Sequence, residues 1–385
     1  MARKSLLRFA GLIVGAALVV TGCGGNSGDS AHSTSTPVAS SQAAPGKTDD
    51  AAPVPGTQPR IAILATGGTI AGKANANSAV GYTAGEATAQ DLIDAVPGLD
   101  KIAKLSAEQI SNIGSQDMNE DVWLKLANRI NELFASDQVD GVVVTHGTDT
   151  LEETAFFLDN VISSDKPVVL VGSMRPSTAL SADGPANLRS AVQVAASPDA
   201  RGRGSMVVLN DTIHSASDVT KTNTTSVQTF KSLNTGPIGS VDAAAVTFTR
   251  PAAAQQHSHF PVPGGTPLPR VDIVYSHAGM NADQVNDAVG HGAKGIVLAG
   301  VGDGNTAKSV VDALSKAAKS GVVVVRSSRV GSGETVRNAE LNDDDLGTST
   351  SMFLNPAKAR VLTQLLLANG ITDPAKVQAE FRTRF

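Results

Sequence analysis

The sequence predicts an α/β fold, with a large N-terminal domain built on a mostly parallel sheet and a smaller C-terminal α/β domain. Three observations lead there. Short Val-rich runs alternate with amphipathic helical stretches from residue 60 to the end. Apolar residues make up 41% of the chain but aromatics only 3%, so the core must be Val, Ala, Ile and Leu, which suits buried parallel strands rather than an aromatic sandwich. The length, 385 residues, accommodates about two domains of ~150 residues each.

The elements follow in order. Arg3, Lys4 and Arg8 precede a short apolar run from Phe9 to Val20, closed by VTGC (20–23). That is a signal peptide, too short to span a bilayer, which takes about 20 apolar residues. Its ending is similar to a bacterial lipobox, so residues 1–23 are expected to be a lipoprotein signal with Cys23 as the lipid attachment site. An ordinary signal peptide with a stray Cys is the plainer alternative. Cys23 is the one Cys in the chain, so no intramolecular disulfide can form. Residues 24–59 carry no aromatic and almost no large aliphatic side chain. Such a segment cannot offset its chain entropy by burial, and a disordered linker spanning ~30–36 Å is expected.

Strands are expected at 61–65, 141–147, 167–173, 205–210, 271–276, 295–300 and 321–328. Helices are expected at 119–134, 150–162, 182–196 and 306–320, with two more near 356–369 and 374–384. Pro and Gly concentrate at 251–269. This gives an N-terminal catalytic domain over 60–250, an interdomain linker over 251–270 and a C-terminal domain over 271–385. Formal net charge is −5, and no basic run occurs outside the extreme N-terminus. That argues against a nucleic-acid partner and against membrane contact other than through the N-terminal anchor.

Four segments carry candidate chemistry. In ATGGTIAG (65–72) a strand runs into Gly67 and Gly68, whose backbone can approach a ligand closely, and Thr69 follows at the strand's carboxyl end. A helix cap explains Thr69 equally well, and the GxGxxG pattern of a dinucleotide loop is not matched. In VVVTHGTDTLEETAFFL (142–158) a buried strand ends in a Gly147–Thr148–Asp149 turn. Thr150 and Glu153 fit a capping box, which leaves Thr148 and Asp149 for an amino-acid ligand. His146 reads as a packed loop histidine in preference to a catalytic one. Lys221 sits among small hydroxyl residues in NDTIHSASDVTKTNTTSVQTF (210–230). Alone it would be a surface cation; beside a threonine nucleophile it is the evident base. Ser115, in SNIGSQDM (111–118), is either loop polarity or a hydroxyl for a substrate carboxylate.

Together with VGSMRPSTALSADGP (171–185) and SSRVGSGETVRNAE (327–340), these motifs resemble the bacterial type II L-asparaginases, in order, over about residues 60 to 385. The resemblance implies a large and a small α/β domain, and a homotetramer built as a dimer of dimers with sites at the dimer interface. It implies no metal and no organic cofactor. The implied substrate is L-asparagine, hydrolysed to L-aspartate and ammonia through an acyl-enzyme, with minor glutaminase activity. The implied address is extracytoplasmic, on the periplasmic or cell-surface side. By position, Thr69 matches the nucleophile. Tyr82, in the expected mobile segment 71–87, matches a tyrosine that closes over substrate and helps activate that threonine. Thr148, Asp149 and Lys221 match a second trio, with Asp149 on the substrate's α-amino group. Ser115 and Gln116 match substrate contacts, as does the backbone at Gly68. Glu340 matches a carboxylate reaching in from a neighbouring subunit, though on its own it reads as a surface acid. One departure stands out: in SHAGMN (276–281) the position of a substrate-supporting Asn in some relatives is Gly279, with Asn281 two residues on. A different class, an extracytoplasmic amino-acid-binding lipoprotein, would share the lipobox, the tether and the two lobes. It would have no need of the Thr/Thr/Lys/Asp set.

Overall fold

A strand that is apolar from Ile61 to Ala65 needs cover on both faces, and the first strand of the body meets that demand by alternation. In the computed structural model, β1 (Arg60–Gly67) sends Ile61 and Ile63 into one core and Ala62 and Leu64 into another. The structure describes residues 58–74, 82–83, 85–252, 259–261 and 267–385, with backbone alone at 73, 74, 82 and 83. Cys23, the lipobox and nearly all of the expected linker lie outside them.

After β1 come the short strands β2 (Lys73–Ala74) and β3 (Tyr82–Thr83), helix α1 (Ala89–Asp94) and strand β4 (Lys104–Ile113). Helix α2 (Glu120–Ala135), β5 (Gly141–Thr145), α3 (Leu151–Val161), β6 (Val168–Val171), α4 (Gly184–Ala196) and β7 (Ser205–Leu209) follow. The N-terminal part ends in short strands: β8 (Thr212–Ser215), β9 (Val219–Lys221), β10 (Phe230–Ser232), β11 (Gly239–Val241) and β12 (Val246–Phe248). Eight of these form one sheet in the order β12-β11-β8-β7-β6-β5-β1-β4. It is parallel from β4 to β7 and antiparallel beyond. Helices α2 and α3 pack on the Ala62/Leu64 face, and α1 and α4 on the Ile61/Ile63 face.

The order has a functional consequence. The chain leaves β1 for β4 on one side, then returns to β5 on the other. A crevice opens at such a switch point, at the carboxyl ends of the strands. The loops after β1 and β5 are those that carry Thr69 and Thr148.

The smaller C-terminal domain is a four-stranded parallel sheet ordered β13 (Val271–Tyr275), β14 (Gly295–Gly300), β15 (Val323–Ser328) and β16 (Ser349–Thr350). Its helices are α5 (Asp283–Gly290), α6 (Lys308–Lys319), α7 (Asp343–Leu346), α8 (Pro356–Ala368) and α9 (Pro374–Arg382). Helices α5 and α6 cover one face with their own core. Helix α8 covers the other face and also packs against α3, so its buried leucines join the core of the larger domain.

Candidate active site

Two glycines bring the two hydroxyl-bearing loops together. Gly68 has φ 80 and ψ −173, a conformation open in practice to glycine alone. A Cβ placed there would lie 2.3 Å from both the nitrogen and Cα of Gly147, so the two backbones are in direct contact. Thr69 and Thr148 are the next residue along each loop, and both are buried. Thr69 opens a single 3-10 turn, Thr69–Ala71, that follows β1. Ser115 closes the third side: a Cβ on Gly147 would come within 2.5 Å of its Oγ.

Lys221 ends β9 and points into this corner. Its Nζ donates to Thr148 Oγ1 at 2.9 Å and to Asp149 Oδ1 at 2.6 Å. Hydroxyl, amine and carboxylate, 72 and 73 residues apart in sequence, thus form one hydrogen-bonded set. The Thr-Asn-Thr-Thr run after Lys221 closes its own turn. Asn223 Oδ1 accepts the backbone N–H groups of Thr225 and Ser226, and Thr222 N–H reaches the Thr229 carbonyl. These bonds lock the β9–β10 ribbon and hence the direction of Lys221.

Ser115 does more than border the pocket. Its Oγ accepts the Asp149 N–H at 3.1 Å, and its carbonyl accepts the Thr150 hydroxyl at 2.7 Å. The second bond corrects an expectation: Thr150 stands at the N-cap of α3, but its side chain makes no cap bond, so the capping box with Glu153 does not form. Glu153 is half-buried instead, and desolvation raises its pKa above the usual carboxylate value. Gln116 is exposed, with its amide folded against Gly114 and Asp117.

His146 is packed, with both ring nitrogens engaged. Trp123 Nε1 donates to Thr154 Oγ1 at 2.8 Å, and Thr154 Oγ1 lies 2.9 Å from His146 Nε2. His146 Nδ1 lies 2.6 Å from the Gly147 carbonyl. Donor counting along this chain requires the neutral ring with its proton on Nδ1. Burial holds its pKa down at about 4, against the opposing pull of the Gly147 carbonyl.

Two expected residues are not brought to the cluster by the described contacts. Glu340 is exposed in the C-terminal domain and accepts a hydrogen bond from Asn305 Nδ2. Tyr82 pairs through its backbone with Ala74 in the β2–β3 hairpin, and its side chain lies outside the described residues, as do 75–81 and 84. At the departure noted above, Gly279 is exposed with φ 75. Asn281 engages Asp283 at the start of α5, with its Nδ2 2.7 Å from Asp283 Oδ2. Among the described residues no group of three or more His, Cys, Asp or Glu is placed to hold a metal.

The site also contains residues that sequence reading passed over. Glu152, Asp218, Asn355 and Lys358 surround the strand that ends in Lys221. Asn355 and Lys358 sit in an Asn-Pro-Ala-Lys helix start, a readable cap signal that says nothing of a partner 203 residues earlier.

The two-domain α/β body carries this loop-borne hydroxyl–amine–carboxylate set at the crossover of its parallel sheet. Residues 60–254 match the family model described as Asparaginase, N-terminal, and residues 270–381 match Glutaminase/Asparaginase C-terminal domain. "L-asparaginase 2" of Escherichia coli (strain K12) is 50% identical over 325 residues, covering 84% of this chain and 92% of that protein. "Probable L-asparaginase periplasmic" of Haemophilus influenzae is 49% identical, over 84% of this chain and 92% of that protein. "Glutaminase-asparaginase" of Pseudomonas fluorescens biotype A is 44% identical, over 83% and 89%. The chain belongs to the asparaginase family.

Proposed function

We propose that this enzyme hydrolyses the side-chain amide of L-asparagine to L-aspartate and ammonia, with Thr69 as the nucleophile. One observation carries the proposal: Lys221 Nζ hydrogen-bonds both Thr148 and Asp149 beside the Gly68–Gly147 contact that abuts the Thr69 loop. The names of the relatives given above support asparagine as substrate. The glutaminase-asparaginase relative supports a minor activity on glutamine.

Thr69 Oγ1 attacks the amide carbon, and Tyr82 helps to take its proton. Backbone N–H groups of the two loops hold the developing oxyanion. The carbon–nitrogen bond breaks, a proton passes to the leaving nitrogen and ammonia departs, leaving an ester on Thr69. Water positioned by Thr148 and Lys221 then attacks the ester and frees aspartate. Asp149 holds the α-ammonium group of the substrate, Ser115 and Gln116 contact its α-carboxylate and α-amino groups, and the Gly68 backbone lines the pocket.

Thr69→Ala should lower ammonia release by at least ~1,000-fold, the scale of losing a nucleophile, with the thermal transition unchanged. Near-normal turnover by that variant would remove Thr69 from the mechanism. Rates on asparagine and glutamine, measured in parallel, test the minor activity; equal specificity constants would contradict it.

The same proposal places the enzyme outside the cytoplasmic membrane, held by a lipid on Cys23, as a homotetramer in which Glu340 completes a neighbour's site. The periplasmic relative's name supports the location. Cys23→Ser should move the protein from the membrane fraction to the soluble one, and the native mass of the detergent-extracted enzyme should be four times that of the chain. A monomeric mass, or Cys23→Ser protein still in the membrane fraction, contradicts the corresponding part.

A further inference from the structure

Lys221 is held at two ends. Its ammonium group meets Thr148 and Asp149, while its backbone N–H donates to Glu152 Oε2 at 2.9 Å. Glu152 is in the first turn of α3, and its other oxygen accepts Asn355 Nδ2 at 3.1 Å. Asn355 is the N-cap of α8 in the C-terminal domain, and its Nδ2 also lies 3.4 Å from Thr220 Oγ1. One helical turn on, Lys358 is 2% exposed. Its Nζ donates to the carbonyls of Ser217, at 3.0 Å, and Val219. Asp218, between them, is buried and accepts the backbone N–H groups of Asn234 and Thr235. Strand β9 is therefore gripped residue by residue by the start of α8 and by Glu152, and it ends in Lys221.

We infer that Glu152, braced by Asn355 and backed by Lys358, is the positioning residue for Lys221, so that the C-terminal domain of the same chain sets the reach of the catalytic amine. The inference rests on the role given to Lys221 above. A buried lysine and a shared carboxylate are costly to desolvate. Burial pushes the Lys358 pKa below the ordinary lysine value, against the pull of Glu152, Asp218 and Glu153. A strand end needing mere coverage would be served by apolar residues. Charged hydrogen bonds to the Ser217 and Val219 carbonyls and to the Lys221 N–H fix register and direction as well.

The experiment uses the full-length enzyme and three variants. Glu152→Ala frees the Lys221 N–H. Glu152→Gln retains an oxygen to accept it. Asn355→Asp retains the helix cap but turns the donor to Glu152 into a second carboxylate. Displacing a reacting group by ~1 Å is worth up to ~100-fold in rate. Glu152→Ala and Asn355→Asp should therefore lower kcat on asparagine by about 10- to 100-fold with KM little changed, and Glu152→Gln should recover most of it. A merely structural role would lower Tm and leave kcat per folded site alone. Wild-type kcat in Glu152→Ala, or equal losses in Glu152→Ala and Glu152→Gln, overturns the inference. Should Glu152→Ala fail to fold, Asn355→Asp decides by itself: full kcat overturns the inference and the expected loss supports it. Lys221→Met is the control. If it turns over normally, the catalytic reading of Lys221 fails; if it is dead while Glu152→Ala is fully active, the positioning inference alone fails.

Discussion

Gly68 shows how much of the site depends on one absent side chain. Its φ and ψ are those of glycine, and the space a methyl group would occupy is filled by the Gly147 backbone, 2.3 Å away. Neither problem can be relieved by turning a flexible side chain, because the obstruction is main chain. Gly68→Ala should cost more than ~4 kcal/mol, beyond the ordinary range for single substitutions. Calorimetry would show Tm lowered by roughly 10 °C together with loss of activity. An unchanged Tm would mean that the loops are not in contact. The motif ATGGTIAG (65–72) advertised a close backbone approach. What the glycine approaches was not legible, because Gly147 lies on the loop after another strand.

Among the elements, the strands and helices of the doubly covered sheet were legible because burial on both faces writes a continuous apolar run. The expected strand at 295–300 and helix at 356–369 match β14 and α8 almost residue for residue. Strand β4 was not legible. It is an edge strand with mostly exposed or half-exposed side chains, so KLSAEQISNI reads as polar loop. The short strands β8 to β12 escaped for a related reason. Their pairings are antiparallel, and each strand is only three or four residues long, too short to write a periodic pattern. The Thr150–Glu153 spacing misled because a cap motif states a preference, and a carbonyl on a neighbouring loop offered the hydroxyl a better partner. Thr148, Asp149 and Lys221 were nominated by residue type and neighbourhood, but their bonding is a product of sheet order. Glu152, Asn355 and Lys358 gave no signal of their partners beyond the helix cap at Asn355, because their roles arise where α3, β9 and α8 meet.

At the scale of the whole molecule, two buried imidazoles make stability depend on pH. His146 and His214 are each held down at about 4 by burial, whereas each takes up its proton near 6.5 in an unfolded chain. Between those values the unfolded chain binds protons that the native chain refuses. Stability is therefore complete above about 6.5 and falls as pH drops toward 4. The gap corresponds to about 3 kcal/mol per histidine. Urea midpoints should decline steadily from pH 7 to pH 4.5, and His214→Gln should make the decline shallower. A flat profile, or one unchanged by His214→Gln, would contradict this account.

Helix α8 lends its first turn to the other domain through Asn355 and Lys358. A gene cut between residues 254 and 270 would therefore yield two pieces, one holding Thr69, Thr148, Lys221 and Glu152 and the other the Asn355 and Lys358 that brace them. Neither fragment should liberate ammonia alone. Fused to two proteins that meet in a cell, they would form a split reporter whose signal is the chemistry itself.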